Sequence, residues 1–435
     1  MKFARLMLIL LGLSALALRP AQSQSDEPLA VVLTVDGGIM PAMKEYIQRG
    51  LDSAEQRGAE VVIIQLNTPG GDLGSTVEII QAFRNSSVPV VVYVTPNGSM
   101  AGSAGAIITL AAHAAAMSPE TAIGAASPVG AGGAELDKTL KAKATEIIKA
   151  QLRPLVERRG AEAQALAMQM IDTARAVSAR EALEVGLIDF VATDVSDLLR
   201  QLDGFQVEMS DGPRTLHTSN ARTEPVNLTL IEQLLLMLTD PNISFLLIAI
   251  GVQAILIEIS SPGGWVAGFI GVVCLTLATY GLGVLPVNWF GLVFMLMSFV
   301  LFVLDIKAPT HGALTAAGVG SFIVGALVLF NSPGTPQFQR VSIPLVIGVG
   351  IFLGLAFAVI LTFALRAQRT PIQVGMEALA GKRGIATTTI KDEGHVQVGG
   401  ELWSARPAEG SEAIHKGDPV EVVRLEGLRL IVKKK

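Results

Sequence analysis

The sequence predicts three structural classes in succession: an α/β domain, an all-α multi-span membrane domain and a small all-β barrel. Strand-like apolar runs alternate with helical patterns in the first half of the chain, long apolar runs fill residues 241–368, and short glycine-punctuated runs occupy residues 375–433. Alternating strands and helices are typical of a layered parallel or mixed sheet. About sixty residues of short strands suit a five-stranded barrel.

Composition supports a membrane protein. The 435-residue chain is 50% hydrophobic and 16% charged, whereas soluble domains contain about 25% charged residues. The net charge of −5 is mild and indicates neither nucleic acid nor an acidic partner. The single cysteine, Cys274, excludes an internal disulfide. With five scattered histidines and one thiol we expect no metal site and no cofactor.

The N-terminus has the pattern of an export signal. A positively charged start precedes the apolar run Leu6–Leu18, and small residues at Ala21 and Ser23 form a cleavage site. We therefore predict a signal peptide over residues 1–23. The following domain is exported whether this segment is removed or stays as an anchor.

Residues 28–205 are predicted to form the α/β domain. Residues 206–240 are polar and are interpreted as a linker or a short amphipathic approach to the membrane. The predicted elements are strand Ala30–Val35, helix Pro41–Arg57, strand Val61–Leu66, helix Ser75–Arg84, strand Val88–Val94, helix 104–115 and a closing helix and strand within 178–197.

The membrane domain, residues 241–368, contains four to five predicted spans. The first apolar run, 243–259, is marginal and carries Glu258, whereas the next four are long enough to cross a bilayer. Arg366 and Arg369 follow the last run, and positive charge marks the cytoplasmic side. An exported first domain then requires an odd number of crossings, which favours five.

Ser103 is the candidate nucleophile. It lies in Asn97–Gly105, which follows a buried strand and opens a helix. The N-terminus of a helix offers free N–H groups and a partial positive charge, and both stabilise an oxyanion. The alternative is an ordinary helix cap with small residues for close packing.

Two main-chain donors are predicted beside this serine. Gly70 and Gly71 follow the neighbouring strand, and the ends of adjacent parallel strands lie side by side. The N–H of Gly71 and the N–H of Ala104 are thus expected to face one point and form an oxyanion hole. The alternative is a plain turn.

A serine hydroxyl needs a base. His113, the single histidine of the exported domain, falls ten residues after Ser103, roughly 15 Å along a helix and too far for a hydrogen bond. A buried lysine has a lowered pKa and can act as a neutral base near pH 7. Lysine is therefore the remaining choice.

Four lysines lie on one predicted helix. Lys138 and Lys149 point away from its apolar stripe, whereas Lys141 and Lys143 each border it, so periodicity leaves these two open. All four also suit a solvated charged face. The stripe consists of Leu136, Leu140, Ile147, Ile148 and Leu155.

Together these features resemble the long form of the NfeD family, which are membrane-bound serine proteases of the Clp protease class, often paired with a stomatin-type partner. The resemblance covers almost the whole chain after the signal. It rests on Leu66–Asp72 (LNTPGGD), Ser103–Gly105, Met117–Ala126, Ser178–Asp189, Gly400–Ala405, Lys416–Asp418 and Val423–Val432.

The resemblance assigns site residues. The nucleophile of the family falls on Ser103, with Ser99 nearby as a decoy. The lysine of the family stands seventeen residues before the glycine that ends its helix. Here that glycine is Gly160, which selects Lys143 over Lys141. Ser127 stands where many Clp-class relatives have histidine, which favours a Ser-Lys dyad.

The resemblance also implies function. It implies a Clp/crotonase-like α/β fold, cleavage of hydrophobic peptide segments, a homo-oligomer (dimer or higher) and a stomatin/SPFH-type partner. The export signal and the positive charge after the last apolar run place the protease domain on the periplasmic side of the inner membrane and the OB-like barrel in the cytoplasm. The barrel sequence lacks a basic, aromatic-rich face, which argues against nucleic acid. The chain departs from the family pattern at Asn67, where the usual residue is aspartate.

The sequence is also compatible with two rival functions. One is a catalytically inactive membrane scaffold for stomatin- or flotillin-type assemblies. The other is an acyl-CoA enzyme on the related crotonase fold. Export argues against the second, since acyl-CoA pools are cytosolic.

Overall fold

The structure is a computed structural model. The predicted signal peptide and Leu136 lie outside the residues that it describes. Those residues are 27–128, 137–260, 264–308, 310, 312–332, 335, 339–369 and 379–435.

Six parallel strands form the main sheet of the N-terminal domain. The four inner strands are near-continuous apolar runs, as expected for strands covered on both faces, whereas the edge strand Arg222–Pro225 is polar. Across the sheet they are Arg222–Pro225 (β11), Leu29–Asp36 (β1), Val61–Asn67 (β2), Val90–Val94 (β3), Ala114–Met117 (β5) and Phe190–Val191 (β8).

Helices cover one face of this sheet. Successive side chains of a strand point to opposite faces, so Val62 and Ile64 of β2 pack against the helices and Val61 and Ile63 against the other face. The covering helices are Pro41–Gln56 (α1), Leu73–Asn85 (α2), Ala104–Ala111 (α3), Lys138–Val156 (α4), Ala161–Asp172 (α5) and Ala179–Glu184 (α6).

The opposite face is covered by segments that follow the sheet in sequence. Helix Val195–Leu202 (α7) buries three leucines there, and the antiparallel hairpin Gln206–Met209 (β9) and Gly212–Thr215 (β10) adds Val207 and Met209. The domain contains a second sheet of three strands, the first of which directly precedes Ser103. This sheet contains Met100–Gly102 (β4), Ala122–Gly124 (β6) and Ala176–Ser178 (β7).

The structure differs from the predicted linker. Within residues 206–240, β9 and β10 cover the sheet and β11 is its edge strand, paired with β1. The hydroxyl of Tyr46 fixes this edge, since it donates to the carbonyl of Val226 at 2.6 Å and accepts from the N–H of Thr34 at 3.0 Å. The segment is polar because β11 lies at the edge of the sheet, where one side of the strand is open to water.

Helix α3 is shorter than predicted. It ends at Ala111, and the chain re-enters the main sheet as β5 instead of continuing to residue 115. The alanine-rich sequence favours a helix locally. Its small side chains also fit a strand that is fully buried between β3 and β8, and this tertiary pairing prevails.

In the described part of the chain, five apolar helices follow Leu230–Leu238 (α8). Three are long and apolar enough to cross a membrane: those of Pro241–Ser260 (α9), Val266–Val284 (α10) and Ala313–Phe330 (α12). The first run therefore qualifies, although its sequence was marginal. Trp289–Lys307 (α11) and Ile343–Arg369 (α13) contain shorter apolar stretches, Trp289–Asp305 and Ile343–Val359.

The C-terminal residues form a closed five-stranded barrel, which confirms the predicted class. Its strand order is Arg383–Ala386 (β12), Gly394–Val398 (β13), Glu401–Pro407 (β14), Arg429–Lys434 (β16) and Pro419–Glu426 (β15). Alternate residues point inward, so valines and leucines of β13, β15 and β16, with an alanine each from β12 and β14, fill the interior.

Candidate active site

Ser103 occupies a strained turn between β4 and α3. Its backbone has φ 50° and ψ −113°, and a residue with a Cβ rarely adopts a positive φ. Two backbone bonds hold the turn: Ser103 N–H donates to the carbonyl of Gly124 at 2.8 Å, and Gly102 N–H to that of Thr68 at 2.9 Å. Such strain persists only where the surroundings enforce it, and it clusters at functional sites. The turn therefore favours Ser103 as the nucleophile.

Gly70 lies directly against this serine. A Cβ built on Gly70 would be 2.7 Å from the Cβ of Ser103 and 3.2 Å from its Oγ, and the φ of Gly70 is +125°. Glycine is thus required for both space and conformation. On the far side of the turn, a Cβ on Gly105 would meet Cγ2 of Thr68 at 2.4 Å. The two strand ends are therefore in contact, as the sequence predicts.

The two predicted oxyanion donors carry free amides. Among the described residues, the backbone N–H groups of Gly71 and Ala104 have no acceptor. The Ile39 N–H donates to Gly70 at 2.9 Å and the Ile39 carbonyl accepts from Asp72 at 2.8 Å. These two hydrogen bonds of Ile39 turn the Gly71 N–H away from Ile39, because the peptide units are planar and trans. Ala104 begins α3, where the helix dipole favours negative charge.

Thr68 holds the glycine turn in shape, a role that the sequence argument missed. Its side chain is fully buried. Its Oγ1 accepts from the N–H of Gly70 at 3.1 Å and lies 3.0 Å from the carbonyl of the same residue. A threonine that directly precedes Pro-Gly-Gly is the signal available in the sequence, since Ser and Thr hydroxyls stabilise such turns.

The candidate lysines lie on α4. Lys143 and Lys141 are both exposed, and within the described part of the chain no hydrogen bond joins Lys143 to Ser103. Lys149 is paired instead with Asp172 at 2.6 Å, which excludes it as a free base. The structure of the single chain therefore places Gly70 against Ser103, leaves the amides of Gly71 and Ala104 without an acceptor among the described residues, and leaves Lys143 on the surface.

Only the second half of α4 is buried. Its contacts with α3 and α5 are made by Ile148, Leu152, Leu155 and Val156. In the first half, Leu140 and Ile147 are 56% and 57% exposed. The apolar stripe predicted along the whole helix is thus half uncovered in one chain, on the stretch that carries Lys143.

Ser99 and Ser127, the two other serines that the sequence singles out, have different surroundings from Ser103. Ser99 is buried and lies in the turn that precedes β4. The Oγ of Ser127, the serine at the position where many relatives have histidine, donates to the carbonyl of Ile171 at 2.6 Å. Neither hydroxyl lies at the start of a helix, so neither combines the features of Ser103.

His113 has a structural role. It is 5% exposed in the turn between α3 and β5, and its Nδ1 accepts from the N–H of Val90 at 3.0 Å. Burial and, secondarily, the charge of Arg158 lower its pKa to about 4. The ring is therefore neutral at pH 7 and committed to the backbone, which agrees with its exclusion as the base.

This lowered pKa predicts acid sensitivity. Between about pH 6.5 and pH 4 the unfolded chain binds a proton at His113 that the folded chain does not, so stability falls as the pH drops through this window and by about 3 kcal/mol in total. Denaturant unfolding of residues 27–228 at pH 7 and pH 4 measures the loss. His113→Asn keeps an acceptor for Val90 without titrating, and its loss should be smaller. Equal losses in both proteins would contradict the assignment.

Comparisons with known proteins cover nearly the whole chain. Residues 30–210 match the N-terminal domain of NfeD1b, residues 242–363 the NfeD integral membrane domain, and residues 376–434 the NfeD-like C-terminal, partner-binding domain. The three matches follow the order of the α/β domain, the apolar helices and the barrel.

Individual relatives are similar to this chain over most of its length. The chain is 32% identical over 413 residues to the membrane-bound protease PH1510 of Pyrococcus horikoshii, with 93% of each chain covered. It is 25% identical over 452 residues to the membrane protein NfeD1b of Bacillus subtilis, covering 98% of this chain and 97% of the relative. Among solved structures, a lysine-to-alanine mutant of the 1510-N membrane-bound stomatin-specific protease with a substrate peptide is 29% identical. It covers 48% of this chain and 96% of that one, with a TM-score of 0.45.

Proposed function

Because this chain belongs to the NfeD family, we propose that it is a membrane-bound serine endopeptidase with Ser103 as nucleophile and Lys143 as base. The observation that carries the proposal is the strained turn of Ser103, with Gly70 pressed against it. The free amides of Gly71 and Ala104 supply the remaining element of the site. An ordinary helix cap does not require the strained turn, the contact with Gly70 and the two free amides in combination.

The reaction has two stages. Neutral Lys143 takes the proton of the Ser103 hydroxyl while Oγ attacks the peptide carbonyl, and the Gly71 and Ala104 N–H groups stabilise the resulting oxyanion. The lysine ammonium then gives its proton to the leaving amine, which frees the first product and leaves an acyl-enzyme. Water, deprotonated by the same lysine, hydrolyses the ester and restores the serine.

Assembly completes the site in this proposal. Lys143 lies on the uncovered half of α4, beside exposed Leu140 and Ile147. A second copy that covers this half would remove the lysine from water, and loss of hydration lowers the pKa of an amine. Oligomer formation would thus both position and neutralise the base, so the active form is proposed to be a dimer or larger homo-oligomer.

The substrate and partner are proposed on separate grounds. The substrate is a hydrophobic peptide segment of a membrane-associated protein, which suits a protease domain that the same chain joins to apolar, membrane-spanning helices. The partner is a stomatin/SPFH-type membrane protein bound by the barrel. The match of residues 376–434 to a partner-binding domain supports this assignment.

We propose an inner-membrane location with five spans. The protease domain then lies on the periplasmic side and the barrel in the cytoplasm. Support comes from Arg366 and Arg369 after the last apolar run and from the export pattern at the N-terminus. The qualifying length of α9 supports the odd number of crossings.

One observation favours a second candidate function, an inactive scaffold for stomatin-type assemblies. In the single chain Lys143 is exposed and, among the described residues, has no bond to Ser103. Copurification of the partner with the Ser103→Ala variant, beside peptide cleavage by the wild type, separates the two functions. A scaffold binds its partner and cleaves nothing in either form.

Gly70→Ala tests the contact that carries the proposal. The added methyl group would displace the Ser103 side chain, and misplacement of a reacting group by about 1 Å costs on the order of 10²-fold in kcat/KM. Gly37→Ala is the matched control, because Gly37 has a similar φ of +116° and no atom within 4 Å of the added Cβ. Equal cleavage of hydrophobic peptides by the two variants would show that the approach of Gly70 to Ser103 has no role in catalysis.

A further inference from the structure

Helix α8 presents an uncovered apolar face. Leu230, Ile231, Leu234 and Met237 are 81%, 72%, 49% and 58% exposed. At 100° per residue these four side chains fall within an arc of roughly 120° on one side of the helix. Four large apolar side chains grouped in this way mark an interaction surface.

The side of α8 away from this face is fixed to the exported domain. Glu232 is buried, and its two carboxylate oxygens accept from Nε and Nη2 of Arg49 in α1 at 2.8 and 2.7 Å. The same carboxylate accepts from the N–H of Thr229, whose hydroxyl caps the helix in return. The Arg49 hydrogen bonds lower the pKa of Glu232. This capped, ion-paired attachment sets which side of α8 faces outward.

The end of α8 is fixed to two membrane helices. The hydroxyl of Ser244, in the first turns of α9, donates to the carbonyl of Leu238 at 2.9 Å. A Cβ on Gly281, near the end of α10, would lie 2.5 Å from the same oxygen. The start of one spanning helix and the end of the next lie on the same side of a bilayer. Helix α8 therefore lies at the membrane boundary.

We propose that α8 is an interfacial helix whose apolar face, Leu230, Ile231, Leu234 and Met237, is covered by membrane lipid. The argument is continuity, because two residues separate α8 from the span α9. The sequence of α8 contains no lysine or arginine, and its buried acidic side chain is paired within the protein. One side of the helix thus binds the exported domain and the other binds lipid, which holds this domain against the bilayer. The inference does not depend on catalysis.

Site-directed spin labelling of the full chain in lipid nanodiscs tests this. In a Cys274→Ser background, which removes the single native thiol, a nitroxide is attached at Leu234→Cys or at Met237→Cys. Gln151→Cys, on the exposed surface of α4, is the water reference, and Val272→Cys, 57% exposed on α10, is the lipid reference. Collisions with dissolved oxygen and with a neutral nickel chelate report lipid and water, respectively.

The expected result is lipid-like at both positions. Oxygen collisions should approach those of the Val272 reference, nickel collisions should be several-fold lower than at the Gln151 reference, and the depth should be about 5–10 Å into the headgroup region. Nickel access equal to that at Gln151 would overturn the proposal. Protection from both reagents would also overturn it, since protein, for instance a second copy, would then cover the face. The two labelled positions are read independently, so one poorly folded variant leaves the other to decide.

Discussion

Replacing Ser103 by alanine is expected to lower the rate of peptide cleavage by the full chain on the order of 10⁴-fold or more, because removal of a nucleophile leaves only binding and oxyanion stabilisation. The strained turn should survive, since an alanine side chain fits wherever the serine fits. Partner binding through the barrel should therefore be unchanged. Turnover of fluorogenic hydrophobic peptides by detergent-solubilised protein measures the loss.

Ser99→Ala is the matched control for this change. Ser99 precedes Ser103 by four residues, is buried, and lies in the turn before β4 instead of at the start of a helix. Its replacement should leave turnover near the wild-type rate. Comparable losses in the two variants would point to damage to the turn and not to a missing nucleophile. Full activity in Ser103→Ala would end the serine-peptidase proposal.

Replacing Lys143 by alanine is expected to reduce kcat roughly 10²–10⁴-fold, the usual contribution of a positioned general base. Lys143 is exposed in the single chain, so its removal should cost little stability. The melting temperature of the N-terminal α/β domain should therefore change little while turnover falls. Parallel measurement of thermal melting and peptide cleavage separates catalysis from folding.

The Lys141→Ala variant shows which of the two lysines is the base. Both lysines are exposed on the uncovered half of α4, two residues and therefore about 200° apart on the helix. We expect Lys141→Ala to retain cleavage. Loss in Lys141→Ala with retention in Lys143→Ala would assign the base to the other lysine. Loss in both would indicate that this half of the helix acts through assembly.

Most of the N-terminal α/β domain follows from local sequence pattern. The strand Val61–Leu66 and the helix Pro41–Arg57 differ from the observed elements by one residue, because period and flanking breakers specify them. The end of α3 does not follow from local pattern, since the alanine-rich sequence suits either helix or strand. Only pairing with β3 and β8 decides it, and that contact is distant in sequence.

The candidate site is likewise specified partly by local sequence and partly by contacts that the local sequence does not encode. Ser103, Gly70, Gly71 and Ala104 are predictable because two strand ends of a parallel sheet must lie together, and the turn residues are encoded locally. The position of Lys143 depends on what covers the first half of α4, which no pattern within one chain specifies. The edge strand β11 was missed for a related reason: its partner β1 is nearly two hundred residues earlier.

The most direct measurement is the structure of the assembled full chain with a peptide phosphonate bonded to Ser103. We expect Nζ of Lys143 to lie within about 3.2 Å of the serine Oγ. We also expect a phosphonate oxygen to accept from the N–H groups of Gly71 and Ala104. An inhibitor bonded to another residue, or a Lys143 amine that remains in solvent while a different group contacts Oγ, would contradict these expectations.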